Sequence, residues 1–282
     1  MKPFTLNIRG NLLRVERPMI MGIINVTPDS FWEGSRAADP DSIAGRAAAM
    51  IADGADIIDL GACSTRPGAE TCDAATEEAR IAVGVEAVRS VSADIPLSVD
   101  TFRASVARSA VEHGADIVND ISGGDLGPEM MPTVASLHVP YIMMHMRGTP
   151  ATMQSMCDYP EGVVAEVVAD LSRKIERFRL AGVADIIADP GLGFAKTIGQ
   201  NYELLRSTAE IEELLGTPVL IGLSRKSMLT RPLGITAAEA LEATTAANTL
   251  ALVNGAAILR VHDVKAAVEA REIVSLTYPT PA

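Results

Sequence analysis

Eight times along the chain a short apolar run ends on one or two polar side chains, then gives way to a loop and a helix-forming segment. The runs fall at 19–25, 56–61, 96–100, 116–121, 140–145, 185–190, 218–224 and 256–262. Runs this short and this rich in aliphatic residues suit strands buried on both faces, as in a parallel sheet. The joints repeat too. Gly54-Ala-Asp56, Gly114-Ala-Asp116, Gly182-Val-Ala-Asp185 and Gly255-Ala-Ala257 each put a glycine where a helix ends and a small residue where the next strand begins. Helices are predicted at 39–53, 74–91, 103–113, from about 128, and at 162–181, 201–215, 237–253 and 264–276; Pro40 and Pro128 fit their first turns.

Strand and helix alternating eight times, with short right-handed crossovers, predict an α/β fold. It is a closed (β/α)8 TIM barrel whose reactive groups gather at the C-terminal strand ends. The competing open doubly wound sheet would place a Gly-rich fingerprint after the first strand, and Asn25-Val-Thr-Pro-Asp29 is not one. Residues 4–17 alternate apolar and polar around Arg9-Gly10-Asn11 and read as an N-terminal β-hairpin able to plug the barrel from below.

A barrel of about 250 residues lets a chain of this length remain one domain. A single domain over residues 1–282 is therefore expected, and no Pro/Gly/Ser-rich linker divides them. The chain is 48% hydrophobic but only 4% aromatic, so its core must be aliphatic. A net charge of −12 repels nucleic acid and anionic membranes at long range. No signal-peptide pattern or uninterrupted apolar span of membrane length is evident. Neither nucleic acid nor membrane is expected as a partner. Cys63, Cys72 and Cys157 have no metal-like or redox-like spacing, which suits a reducing compartment and a cytoplasmic protein.

Across the strand ends the rim collects Asn25, Asp59, Asp100, Asn119, His145, Asp189, Lys226, Arg260 and His262. Asp100, Asn119, Asp189 and Lys226, with walls from Ile121, Met144 and Phe194, offer the acceptors and donors that a flat heterocycle with ring N–H groups, an exocyclic amine and a carbonyl requires. Each carboxylate taken alone equally suits a cap on the following helix. Asn25, Arg66, Arg260 and His262 form a second set, on loops after the first, second and eighth strands. Barrels often bind phosphate near their last strands, arginine grips phosphate oxygens bidentately, and an amide oxygen such as that of Asn25 suits Mg²⁺. His145 reads as a satisfied core histidine, and Cys63, with no histidine nearby in sequence, as an inert small residue.

These residues resemble the dihydropteroate synthase family of bacterial folate synthesis. The matching pieces are Met21-Gly-Ile-Ile-Asn-Val-Thr-Pro-Asp-Ser-Phe31, Ser64-Thr-Arg-Pro-Gly68, Ser98-Val-Asp-Thr101, Asn119-Asp-Ile121, Met144-His-Met146, Asp189-Pro-Gly191, Ser224-Arg-Lys-Ser227 and Arg260-Val-His-Asp263. They run in family order across nearly the whole chain. The resemblance implies a transferase that condenses 6-hydroxymethyl-7,8-dihydropterin diphosphate with 4-aminobenzoate, giving 7,8-dihydropteroate and diphosphate. It also implies small-molecule partners only, and a homodimer.

By that likeness Asp100, Asn119, Ile121, Met144, Asp189 and Lys226 hold the pterin. Asn25, Arg66, Arg260 and His262 take the diphosphate, with Mg²⁺ on Asn25. Thr65, Pro67, Phe194, Lys226 and Ser227 border the 4-aminobenzoate site, which sulfonamides occupy in the family. Asp100, Lys226 and Arg260 are the expected catalytic groups. The chain departs from the family pattern at Trp32-Glu33 in the first loop, at Cys63 where glutamate is usual, and at Leu192 and Ala195 within the usual Asp-Pro-Gly-Phe-Gly-Phe-Gly-Lys. Three rivals remain open: a pterin barrel transferring methyl groups from methyltetrahydrofolate, a Schiff-base aldolase on Lys226, and a paralogue that kept the pocket and lost turnover.

Overall fold

A computed structural model describes residues 1–26, 39–62 and 72–279. Thr65, Arg66, Pro67, Cys63, Trp32 and Glu33 lie outside the described residues. The chain opens with an antiparallel hairpin, β1 (Phe4–Ile8) and β2 (Asn11–Val15), turning at Arg9 and Gly10, both at positive φ.

The repeat then begins with β3 (Met19–Asn25), α1 (Pro40–Ala52), β4 (Ile57–Gly61), α2 (Ala74–Val91), β5 (Leu97–Asp100), α3 (Ala104–Glu112) and β6 (Ile117–Asp120). It continues with α4 (Met130–Leu137), β7 (Tyr141–Met144), α5 (Val163–Leu180), β8 (Ile186–Asp189), α6 (Ile198–Arg206) and α7 (Thr208–Leu215). The last elements are β9 (Leu220–Ile221), α8 (Ser227–Leu233), α9 (Leu241–Val253), β10 (Ile258–Val261) and α10 (Val264–Thr277). Eight strands pair in the order β8-β7-β6-β5-β4-β3-β10-β9, all parallel, and a bridge between Ala188 and Val219 joins β8 to the chain entering β9. The result is the TIM barrel with its N-terminal hairpin.

Period-two alternation explains why the strands read as unbroken apolar runs. On β4, Ile58 and Leu60 face outward into the core shared with the helices, while Ile57 faces inward. The inward floor is Met21, Ile57, Ile117, Ile142, Ile187, Leu220 and Ile258, sealed from below by Leu6, Ile8 and Val15 of the hairpin. Two positions further along four of these strands the inward residue turns polar: Asp59, Asn119, Asp189 and Arg260. The polar layer therefore rests on a dry aliphatic floor.

The glycines at the four joints, Gly54, Gly114, Gly182 and Gly255, all adopt left-handed φ between 90° and 113°. They end their helices with no Cβ penalty. The aspartates that follow bind backbone. Asp56 accepts from Ile20 N at 2.8 Å, Asp116 from Leu97 N at 2.9 Å, and Asp185 from Asn7 N in the hairpin at 2.6 Å.

Three expectations need correction. The helix expected over 201–215 is two helices, broken at Ser207: the Thr208 hydroxyl bonds the carbonyls of Leu204 and Leu205, and Asn254 also donates to Leu205 O. Side chains there replace helical N–H donors. The seventh barrel strand pairs over only two residues, because the chain turns at Leu223–Lys226 with Arg225 at φ +56°. Cys72 is disulfide-bonded, against the reducing compartment that the cysteine spacing suggests, while Cys157 is free.

Candidate active site

Arg260, at the inward position of β10, is the centre of the mouth. Its Nε donates to Asp59 Oδ2 at 2.6 Å and its Nη2 to Asp100 Oδ2 at 2.7 Å, so one guanidinium bridges β4 and β5. Burial alone would lower its pKa; Asp59 and Asp100 outweigh that and hold the guanidinium above its usual range. Asp59 is fully buried, and its Oδ1 has no hydrogen-bond partner among the described residues. Asn119 Nδ2 lies 3.5 Å from its other oxygen. Burial, opposed by Arg260 and reinforced by Asp59, raises Asp100 to about 7.

On the other side, the Asp189 carboxylate accepts from Gly191 N at 2.7 Å, and burial raises its pKa against the pull of Lys226. Lys226 lies beyond the end of β9, and the Arg225 turn sends its side chain back into the mouth. Its ammonium donates to Leu192 O at 2.6 Å and lies 4.9 Å from the centroid of the Phe194 ring. Burial draws it down to about 8, with Asp189 resisting. Gly222 leaves room here: a Cβ would stand 3.8 Å from Arg260 Cβ and 4.0 Å from Lys226 Nζ.

Ile121 and Met144 join Met146, Met153 and Ala195 in a small apolar cluster with Phe194, Phe102 and Leu126 packed against it, separate from the barrel floor. His262 Nδ1 lies 3.1 Å from Ser224 Oγ; burial and then Arg260 depress its pKa to about 3, so the ring is neutral at pH 7. Asn25 ends β3 opposite Gly61, which carries no side chain between Asn25 and Asp100: a Cβ there would stand 3.6 Å from Asn25 Oδ1. Ser227 is exposed at the start of α8.

Among the sequence-derived residues, Asp100, Asn119, Asp189, Lys226 and Arg260 thus converge on one mouth, with Ile121, Met144 and Phe194 in one wall. Among the described residues no group of three or more His, Cys, Asp or Glu side chains is arranged to hold a metal. A single amide oxygen still fits Mg²⁺, which commonly keeps its waters and shares phosphate oxygens.

Sequence reasoning placed Asp59 on the rim without a role, and missed one ion pair and two buried side chains. The bidentate Arg225–Asp263 pair, at 2.9 Å for both contacts, ties the loop after β9 to the start of α10. Lys196 and Tyr159 lie beneath the loop that carries Phe194. The motif Ser-Arg-Lys held the signal for the first, but nothing in the sequence marks the other two as buried.

A barrel with this mouth defines a class. Residues 21–262 match the pterin binding enzyme family. The dihydropteroate synthase of Synechocystis sp. is 44% identical over 254 residues, covering 89% of this chain and 87% of that protein. The Yersinia pestis dihydropteroate synthase, solved with a sulfonamide drug, superposes with a TM-score of 0.91 at 37% identity, covering 97% of this chain and 98% of that one. The Xanthomonas albilineans enzyme, solved with 4-aminobenzoic acid, gives 0.89 at 36% identity over 99% of this chain and all of that one (100%). The chain belongs to the dihydropteroate synthase family of pterin-binding transferases.

Proposed function

We propose that this chain condenses 6-hydroxymethyl-7,8-dihydropterin diphosphate with 4-aminobenzoate, releasing 7,8-dihydropteroate and diphosphate. The observation that carries the reading is the convergence of Arg260, held between Asp59 and Asp100, with Asp189 and Lys226, whose charges act on each other through space, beside one apolar wall. Asp100, Asn119 and Asp189 accept from the N–H groups of the pterin, and Lys226 donates to its carbonyl. Ile121 and Met144 pack on the ring. Phe194, Lys226 and Ser227 border the aromatic amine, with Thr65 and Pro67.

An aniline nitrogen is neutral near pH 7 and needs no strong base, so the barrier lies in expelling diphosphate. The methylene C–O bond breaks, the pair leaves on diphosphate, and the cation spreads over the dihydropterin. Carboxylates preorganised under that ring stabilise it. Arg260, permanently charged, and neutral His262, a hydrogen-bond donor, attend the leaving group with Arg66. Asn25 would hold Mg²⁺ on the diphosphate, and the chemistry supplied there is neutralisation of the departing charge. The amine lone pair then forms the C–N bond and the nitrogen loses its proton.

The protein acts in the cytoplasm, as one domain and as a homodimer. Support for the dimer is the exposed apolar stripe of Leu250 and Val253 on α9 with Ile273 and Leu276 on α10. No helix among the described residues is long and apolar enough to cross a membrane. The decisive assay supplies both substrates with Mg²⁺ and follows diphosphate. Release that depends on 4-aminobenzoate is expected. Pterin binding without release would identify a silent paralogue, and methyl transfer to a corrinoid would identify the methyltransferase type.

A further inference from the structure

The loop between β8 and α6 is fastened from below by side chains that take no part in the chemistry proposed above. Lys196 is only 5% exposed. Its ammonium turns back under its own loop, donating to Phe194 O at 2.8 Å, and lies 3.0 Å from His145 Nδ1 and 3.5 Å from His145 O. No carboxylate is among these partners. Burial holds the Lys196 pKa down to about 7 and, with Lys196 alongside, that of His145 to about 2, so the imidazole is a neutral acceptor for the lysine.

From beside it, the buried Tyr159 donates its hydroxyl to Ala195 O at 3.0 Å, with the Arg147 guanidinium stacked 3.8 Å over its ring. Asn201 Oδ1 accepts from Gly193 N at 2.6 Å. Three consecutive residues, Gly193, Phe194 and Ala195, are therefore each tied through their backbone by a side chain, from Asn201, Lys196 and Tyr159 in turn. The ties hold a conformation the chain resists, because Ala195 sits at φ +52°, where an L side chain is disfavoured. Its fully buried methyl packs in the apolar cluster of the mouth.

What this fastened loop carries is the Phe194 ring and the Leu192 carbonyl, and both meet the Lys226 ammonium. The acceptors expected to grip the pterin, Asp100, Asn119 and Asp189, come instead from strand ends. We propose that Lys196 and Tyr159 are positioning residues for the second substrate: by clamping residues 193–195 they set the Phe194 ring beside the aromatic amine, and so tune amine affinity more than the affinity for pterin diphosphate, which is gripped chiefly from the strand ends. This rests on the reaction proposed above. The clamp confines the amine to a flat aromatic slot.

The test compares the purified full-length wild type with Tyr159→Phe and Lys196→Met. In each, the KM for 4-aminobenzoate is measured at saturating pterin diphosphate, and the KM for pterin diphosphate at saturating amine. Both substitutions should raise the amine KM at least fivefold, Lys196→Met the more, with the pterin diphosphate KM within twofold of wild type. A merely structural role would move both constants together or neither. Tyr159→Phe loses one hydroxyl and keeps its ring, so it reads the clamp even if Lys196→Met does not fold. An unchanged amine KM, or equal rises in both constants, would overturn the proposal. Wild-type protein that releases no diphosphate would instead sink the reaction, and the clamp with it.

Discussion

At the bottom of the barrel Asp56 and Asp116 each receive a backbone N–H from the neighbouring strand, and arginines as well: Arg271 at 2.6 Å for Asp56, Arg89 at 2.6 Å and Arg9 at 2.9 Å for Asp116. Three residues beyond Asp56, on β4, Asp59 faces the mouth, shares Arg260 with Asp100, and keeps one oxygen without a donor among the described residues. The residue type and the strand are the same, yet the donors differ. A buried carboxylate whose donors are built into the fold fixes the fold, since an unmet buried acceptor costs about 1–3 kcal/mol. Carboxylates short of donors are held in place by the rest of the structure until a ligand brings its own. At the bottom each carboxylate has a backbone N–H and arginines that it shares with no mouth group, although Asp116 Oδ1 meets Arg9 as an ion pair without a hydrogen bond; at the mouth Asp59 and Asp100 divide one arginine between them, which is the difference between holding a barrel together and using one.

The sharpest way to break that comparison is to delete mouth groups. Lys226→Ala and Asp189→Ala should each cut turnover by about 100-fold or more, the scale of losing one preorganised electrostatic group. Neither should move the thermal midpoint by more than about 3 °C. Full activity in either variant would refute the site. A smaller pair sets the two ends against each other. Asp116→Asn should cost about 3 kcal/mol in urea unfolding, because two arginines lose their buried partner, while the folded fraction turns over normally. Asp59→Asn leaves Arg260 paired with Asp100 and should fold, with activity about 10-fold lower from a misplaced guanidinium. If Asp59→Asn unfolds as readily as Asp116→Asn, the mouth is as structural as the bottom.

How much of this was legible in the chain follows from periodicity. Side chains rooted in strands point in or out with period two, so Asp100, Asn119, Asp189 and Arg260 could be assigned to one mouth from their places at the ends of apolar runs. Side chains rooted in loops carry no such rule. Lys226 reaches the mouth only because Arg225 adopts a left-handed turn, and Lys196, in a Gly-rich loop, has no periodic position to mark it as buried although it is. The break at Ser207 escaped periodicity because Thr208 and Asn254, not an apolar pattern, decide it.

A small change in stability sharpens the comparison most, because at Asp100 stability and function are expected to move with opposite signs. Burial raises Asp100 from 3.8 to about 7 in the folded protein. Between those values the folded state holds a proton that the unfolded state has released, so stability falls as pH rises from about 4 towards 7. Asp100→Asn removes that proton linkage and should raise the midpoint at pH 8 by a few degrees while abolishing most turnover. The same group sets the acid limb of activity. Below about 7 the carboxyl is protonated and can no longer accept from the pterin on both oxygens, so kcat/KM for pterin diphosphate should fall with one proton. Lys226, drawn down to about 8, should set an alkaline limb, which Lys226→Arg would carry to higher pH. A profile flat from pH 6 to 9, or an Asp100→Asn variant less stable than wild type at pH 8, would show that the mouth's carboxylates are as well satisfied as those beneath the floor.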